Sequence, residues 1–268
     1  MPGHPGRRRC SITGFGLLAS ALQIGVAAAA DLPVRTAPAE THSAVAPYTF
    51  VASAYLWATG LEGRMRTLPP FPAVNVNIGF DDVLKNLEGG IMGAAELRSG
   101  RFLLFVDIMA TRLSPEKPIT PAGYPGLVKV QASSFTGLAA AGYRLIDAPA
   151  YSLDGFIGVR GFSVKNTLNV QVLPIGLRLS DSEAWIDAVA GARFRYNLTT
   201  SIHGVVMGFA GGGSSKRLWD LFGGFGYDIN KSYTLFAGYR AMKVDYRKGA
   251  FIYDALQQGP VLGLNARF

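Results

Sequence analysis

Residues 185–198 read WIDAVAGARFRYNL, and their alternation decides the fold class. Ile186, Ala188, Ala190, Ala192, Phe194, Tyr196 and Leu198 share one parity, while Asp187, Arg193, Arg195 and Asn197 share the other. A period of two places such sets on opposite faces of a β-strand, whereas a helical period of 3.6 would mix them. The last residues repeat the pattern: Pro260, Leu262, Leu264, Ala266 and Phe268 lie on one side, Gly263, Asn265 and Arg267 on the other. Phe102, Leu104, Val106, Ile108 and Ala110 likewise oppose Leu103, Phe105, Asp107, Met109 and Thr111. Trp219, Leu221, Phe225 and Tyr227 oppose Asp220 and Asp228, and Leu153, Ile157 and Val159 oppose Asp154 and Arg160. The segments 133–145 and 233–246 behave similarly, the second less regularly because Phe236 shares a face with Arg240.

These segments predict strands over about 49–66, 89–98, 101–113, 130–146, 150–165, 184–198, 201–211, 217–228, 232–247 and 259–268. Ten strands is the resulting count, with eight or twelve as alternatives. The weak joints are the first strand, which Gly60 and Gly63 can split, and the glycine run 211–213, which bridges or kinks two strands. Short turns at 97–101, 145–149, 198–201 and 228–232 alternate with long loops at 67–87, 114–129, 166–183 and 248–258. That order is expected of an outer-membrane barrel, with periplasmic turns and external loops. The predicted fold is all-β, a closed antiparallel transmembrane β-barrel. Closure has a physical cause, because each unpaired backbone group in hydrocarbon costs several kcal/mol and a sheet there can have no edge. A soluble, lipocalin-like barrel is the rival, and it would turn the apolar parity inward.

Composition agrees with a barrel. The 268-residue chain is 49% hydrophobic and 16% charged, with 33 glycines and one cysteine. Ordinary soluble domains carry roughly 25% charge and about 7% glycine. Disorder and a disulfide scaffold are excluded, and this much glycine disfavours a helical bundle. From Tyr48 onward no uncharged apolar run is long enough for a membrane helix.

The first residues read as a secretory leader. Arg7, Arg8 and Arg9 precede the apolar run 12–26, and Ala28-Ala29-Ala30 before Asp31 fits a cleavage site. A retained anchor and twin-arginine export are the alternatives. The expected organisation is a cleaved signal peptide at 1–30, a flexible periplasmic lead-in at 31–47 and an outer-membrane barrel at 48–268. Cleavage removes three arginines and no acid, so the formal charge falls from +8 to +5 over 238 residues and Cys10 is lost. No basic stripe or zinc spacing supports nucleic-acid binding.

Several blocks carry a resemblance: YLWATGLEG at 55–63, FDDVLKNLEGGIMGAAELRSGRFLLFVDIM at 80–109, WIDAVAGARFRYNL at 185–198, FAGYRAMKVDY at 236–246 and GPVLGL at 259–264. With the mature start at 30–34 and the terminal Phe268, they resemble a family of alpha-proteobacterial outer-membrane β-barrel proteins. The resemblance implies architecture and the cell outer membrane of a Gram-negative bacterium, and it implies no reaction or substrate. Where that family tends to an Arg-Gly-Asp-Val-Gly-Gly-like run, this chain has His203-Gly204-Val205-Val206-Met207-Gly208, so a lumen carboxylate is expected to be missing.

Parity nominates lumen residues: Glu96, Arg98, Asp107, Arg144, Asp154, Arg160, Asp187, Arg193, Arg195, Asp220, Arg240, Asn265 and Arg267. They can serve structurally, pairing across strands, or line a small polar pore. The aromatics Tyr48, Tyr55, Trp57, Tyr143, Tyr151, Trp185, Tyr196, Trp219, Tyr227 and Tyr233 are expected in interface girdles. Ser201 and His203 share a strand face, a bare outline of a hydrolase pair, yet a turn or girdle role fits them better. Asp81-Asp82 suits a solvated loop or helix cap more than a calcium site, the SPEKP run at 114–118 reads as an external loop, and the run 211–215 lacks a phosphate-loop ending.

The sequence therefore assigns no catalytic, cofactor-binding or metal-binding residue and no cofactor. The expected role is a non-enzymatic structural or surface one in the outer membrane. A narrow porin-like channel for small polar solutes is the first alternative, and a lipid-modifying or proteolytic barrel enzyme the second. Expected partners are outer-membrane lipids and lipopolysaccharide, with the barrel-assembly machinery during insertion and no nucleic acid. The oligomeric state is left open.

Overall fold

The computed structural model describes residues 48–68, 71–119, 126–172 and 175–268. The expected signal peptide and lead-in, with Cys10 and His42, lie outside the described residues.

Among the described residues, thirteen strands and one short helix follow in order. They are β1 (Tyr48–Trp57), β2 (Gly60–Arg66), β3 (Val74–Ile78), α1 (Phe80–Lys85), β4 (Leu87–Ser99), β5 (Phe102–Leu113), β6 (Glu116–Ile119) and β7 (Gly126–Asp147). Then come β8 (Tyr151–Val172), β9 (Ile175–Asn197), β10 (Ile202–Gly213), β11 (Ser215–Asp228), β12 (Tyr233–Lys248) and β13 (Phe251–Arg267). Ten of them pair in a ring, β1-β4-β5-β7-β8-β9-β10-β11-β12-β13, and β13 pairs back onto β1 antiparallel. The barrel is closed, as alternation and short turns predicted.

β1 and β2 are one stave. Val51 opposes Arg267, Trp57 opposes Val261 and Gly60 opposes Gln258, so the register along β13 is unbroken across Ala58 and Thr59. The Ala58 N–H donates to the Pro260 carbonyl at 2.9 Å. The expected split thus leaves the pairing with β13 intact. β4 leaves β1 after Gly93, and β3 pairs with β2 above that point. β3 and β6 are the two additional strands beside the ten staves.

Stagger follows from the register. Val51 leads through Glu96, Phe105, Ala140, Gly158, Val189, Gly211, Leu218, Val244 and Ala255 back to Gly63, twelve residues further along the same stave. With about 3.3 Å per residue and about 4.8 Å between strands, a shear of twelve over ten strands tilts them by about 40°. Gly63 meets a steric demand there. Its φ is +151°, and an added Cβ would lie 1.9 Å from the Asp254 carbonyl oxygen.

The faces are inverted relative to a soluble sheet. Phe102, Leu104, Val106 and Ile108 of β5 are 69, 57, 43 and 41% exposed on the outer face, while Leu103, Phe105, Asp107 and Met109 are buried inside. Alternation on β12 keeps the outward positions from Tyr233 to Ala241 apolar, and the first outward charge is Lys243. The first outward charges on β11 and β8 are Arg217 and Lys165. The uncharged band is thus nine residues tall on β11 and β12 and thirteen on β8, against the roughly 9–11 residues a tilted strand needs to cross a bilayer. The lipocalin-like rival is excluded by this polarity.

Several expected loops are strand. β7, β8 and β9 run for 22, 22 and 23 residues; β8 and β9 fill most of 166–183, and β7 reaches into 114–129 from Gly126. β12 and β13 continue to a tight turn at Gly249-Ala250, replacing the loop at 248–258. The SPEKP run contributes β6, which pairs with β7. The cause is chemical. Above the apolar band polar residues become frequent and read as loop, although period two persists with the ladder: Thr167, Asn169 and Gln171 alternate with Leu168, Val170 and Val172. Asp81 and Asp82 lie in the first turn of α1, where carboxylates favour the helix dipole.

Candidate functional site

Strand parity builds the interior. Of the thirteen nominated residues, twelve line one lumen cavity open at the short-turn end, and Asp187, 1% exposed, is buried among the inward-facing side chains above it. They organise into layers.

Midway along the lumen, Arg240 of β12 donates to both Asp107 of β5 and Asp220 of β11, at 2.6 and 2.7 Å. Arg160 of β8 donates to Asp220 from the far side at 2.6 Å and to the Met242 sulfur at 3.3 Å. The Tyr55 hydroxyl donates to Asp107 at 2.5 Å and accepts from Arg240 at 3.0 Å. The Arg240 guanidinium also lies 5.0 Å from the Trp57 ring centroid. Two arginines and two carboxylates neutralise each other here, which is the condition for keeping charges buried.

Toward the long-hairpin end, an aromatic stack fills the lumen. Trp185 stacks on Tyr246 at 4.0 Å and on Phe162 at 5.1 Å, with Phe251 and Tyr253 at its edges. Met242, Val244 and Leu218, all at most 3% exposed, complete this layer.

Toward the short turns lies a second ionic layer. Arg193 bridges Glu96 and Asp154, the latter at 2.8 Å. Arg144 holds Asp154 at 2.5 Å and Asp147 at 2.8 Å, and Arg98 holds Glu96 at 3.0 Å. Between the ionic layers sit Phe105, Phe156 and Phe209, with centroids 5.8–6.4 Å apart.

The cavity, about 560 Å³, is lined by seven arginines and five carboxylates. Arg98, Arg144, Arg160, Arg193 and Arg240 are in ion pairs with Glu96, Asp107, Asp147, Asp154 and Asp220. Arg195 and Arg267 form no ion pair among the described residues, so the two excess charges have an address at the short-turn mouth.

The β10 wall has no carboxylate among its inward residues. Its inward residues are His203, Val205, Met207 and Phe209. His203 is 6% exposed, its Nδ1 lies 3.7 Å from Asp228 and has no hydrogen-bond partner. Ser201 sits in the turn before β10, and its N–H and carbonyl serve turn bonds to Thr199 and Asp228. No Ser201–His203 hydrogen bond exists, so the hydrolase outline is not assembled. Among the described residues no three His, Cys, Asp or Glu side chains converge as a metal site.

The girdle expectation divides. Tyr48, Tyr143, Tyr151, Tyr196, Tyr227 and Tyr233 are exposed near the short-turn end, and Trp219 is exposed nearer the other rim. Tyr55, Trp57 and Trp185 instead point inward and are buried. Their inward parity was available in the sequence, since Trp185 shares its face with Asp187 and Arg193.

No family model matches the chain, and no curated protein matches it by sequence. The chain shows distant similarity to several solved structures. Ail, the attachment invasion locus protein of Yersinia pestis, is 12% identical with a TM-score of 0.33, covering 83% of this chain and 99% of its own. The translocator domain of the autotransporter NalP from Neisseria meningitidis is 12% identical with a TM-score of 0.42, covering 82% and 88%. Neisserial surface protein A is 13% identical with a TM-score of 0.30, covering 82% and 97%. At such identity and superposition, none passes a role to this chain.

Proposed function

We propose that the chain is an integral outer-membrane β-barrel with an occluded lumen and a non-enzymatic, surface-facing role. The observation that carries the reading is the pair of barriers across the interior. At the middle layer Asp107, Arg160, Asp220 and Arg240, from four staves, are each no more than 8% exposed, and the Trp185–Tyr246 stack lies beyond them. Solutes therefore have no aqueous path from mouth to mouth, which argues against the porin-like alternative. The uncharged outer band and the tyrosine ring support insertion in a bilayer, with lipids as the contact along the band. The resemblance of its sequence blocks supports an alpha-proteobacterial outer membrane as the location. By the usual asymmetry, the short turns face the periplasm and the long hairpins project outward.

The hairpins give the surface role its substance. β10 ends at Gly213 opposite Asp187, and β9 continues to Ile175 paired only with β8. β7, β8 and β9 thus extend together past the rim as a sheet.

The test is planar-bilayer recording on protein whose folding is verified by heat-modifiable migration. No single-channel current is expected. A reproducible conductance from the folded form would overturn occlusion in favour of the porin-like reading.

A further inference from the structure

We infer that the short-turn mouth of the lumen is a binding site for a small organic anion that carries an apolar tail. Three observations converge on it. The first is space: a cavity of about 560 Å³ lies below the middle barrier and opens at the short turns. The second is positive charge outside any ion pair. Every carboxylate lining the cavity is already held by an arginine, which leaves Arg195 and the exposed Arg267 without an ion pair. Asp228 stands near the same rim and acts on Arg195 through space without pairing with it; its carboxylate accepts from the Thr234 hydroxyl at 2.5 Å and lies 3.7 Å from His203 Nδ1. The third is an apolar wall. Val205 and Met207 of β10 line the cavity beside Phe222 and Phe236, whose rings meet edge to face at 6.3 Å.

Charge and wall define one ligand chemistry. A guanidinium without an internal partner takes a carboxylate in a forked pair, and two at one mouth offer two forks. A purely inorganic anion would use the arginines and leave the apolar wall in contact with water. A carboxylate on a short hydrocarbon or aryl tail satisfies both, with its head at Arg195 and Arg267 and its tail against Met207, Phe222 and Phe236. The barrier above the cavity makes this a site of capture from the short-turn side. The site deepens the occluded-barrel reading, and bilayer current and ligand binding are separate measurements that fail separately.

Met207 supplies the readout. Protein in lipid nanodiscs carrying ¹³C-methyl methionine is titrated with 4-phenylbutyrate, with its neutral analogue 4-phenylbutanol, and with inorganic phosphate. The expected result is a saturable shift of the Met207 methyl signal with 4-phenylbutyrate, Met92 and Met109 moving less. Arg195→Gln and Arg195→Gln/Arg267→Gln are expected to weaken the carboxylate affinity, the double variant about tenfold or more. Neither arginine is in an ion pair, so both variants are expected to keep heat-modifiable migration. An unmoved Met207 signal overturns the site. Equal shifts from the alcohol, or equal affinity in the double variant, overturn the role of the arginines. A shift from phosphate as large and as tight as that from 4-phenylbutyrate overturns the apolar tail.

Discussion

Arg240 of β12 and Asp107 of β5 meet across the lumen at 2.6 Å, joining staves that are four places apart in a ten-stave ring. The same guanidinium holds Asp220, so one side chain neutralises two buried carboxylates. Deleting it leaves both uncompensated in a dry layer, a loss of about 3–5 kcal/mol for a buried pair broken from one side. Arg240→Ala is therefore expected to lower the urea midpoint of unfolding from lipid vesicles sharply. Asp107→Asn, which removes one charge and keeps an acceptor, is expected to lower it less. Equal midpoints for Arg240→Ala and the parent protein would show that the bridge contributes nothing to stability.

A second prediction concerns a glycine that makes room for an imidazole. A Cβ on Gly226 would lie 2.3 Å from His203 Nε2. His203 sits opposite Gly226 in the register and is 6% exposed, so its imidazole has to give up this position and shift into the cavity it lines. Gly226→Ala is expected to destabilise by about 1–3 kcal/mol through overpacking. Adding His203→Ala removes the clash, so the double variant should recover most of the loss. Independent, additive effects of the two changes would disprove the contact.

Orientation is tested from outside the cell. Gly249 and Ala250 form the exposed turn between β12 and β13, and Gly249 has φ +54°. Asn230 and Lys231 form the turn at the opposite end, between β11 and β12. An epitope inserted between Gly249 and Ala250 should be labelled by antibody on intact cells. One inserted between Asn230 and Lys231 should be labelled only after the outer membrane is permeabilised. The reverse pattern would invert the barrel.

The sequence discloses the wall of this barrel more fully than its contents. Asp107, Asp187 and Arg193 sit at alternate positions among apolar residues, and that parity placed all thirteen nominated side chains inside. It could not say which arginine holds which carboxylate, because Arg160 and Asp220 are 60 residues apart and meet only through the shear of the sheet. Trp185 misled for another reason. Its type suggests an interface, but parity puts it inside, and in a lumen this narrow inward tryptophan is packing. The projecting ends of β8 and β9 keep period two, Thr167, Asn169 and Gln171 alternating with Leu168, Val170 and Val172, but the polar content of 166–183 made that stretch read as loop.

The outer band makes the sharpest demand on where the protein resides. Val106 is central in the outward row of β5, while Phe102 stands at its short-turn end beside Tyr143, ring centroids 5.3 Å apart. An arginine at the bilayer midplane costs about 2–4 kcal/mol, and near an interface about 0–1 kcal/mol, because there it can reach water and headgroups. Val106→Arg should therefore destabilise the barrel in lipid vesicles well beyond Phe102→Arg, although both replace exposed apolar side chains on one strand. Loss of the Phe102–Tyr143 edge contact adds about 0.5–1.5 kcal/mol to the second variant, which brings its centre to about 1.5 kcal/mol against about 3 kcal/mol for Val106→Arg. In water the ordering would reverse, since a charge on a solvated face costs little and only Phe102→Arg would lose a contact. Unfolding midpoints of the two variants in vesicles thus decide between a band buried in hydrocarbon and one that is merely apolar.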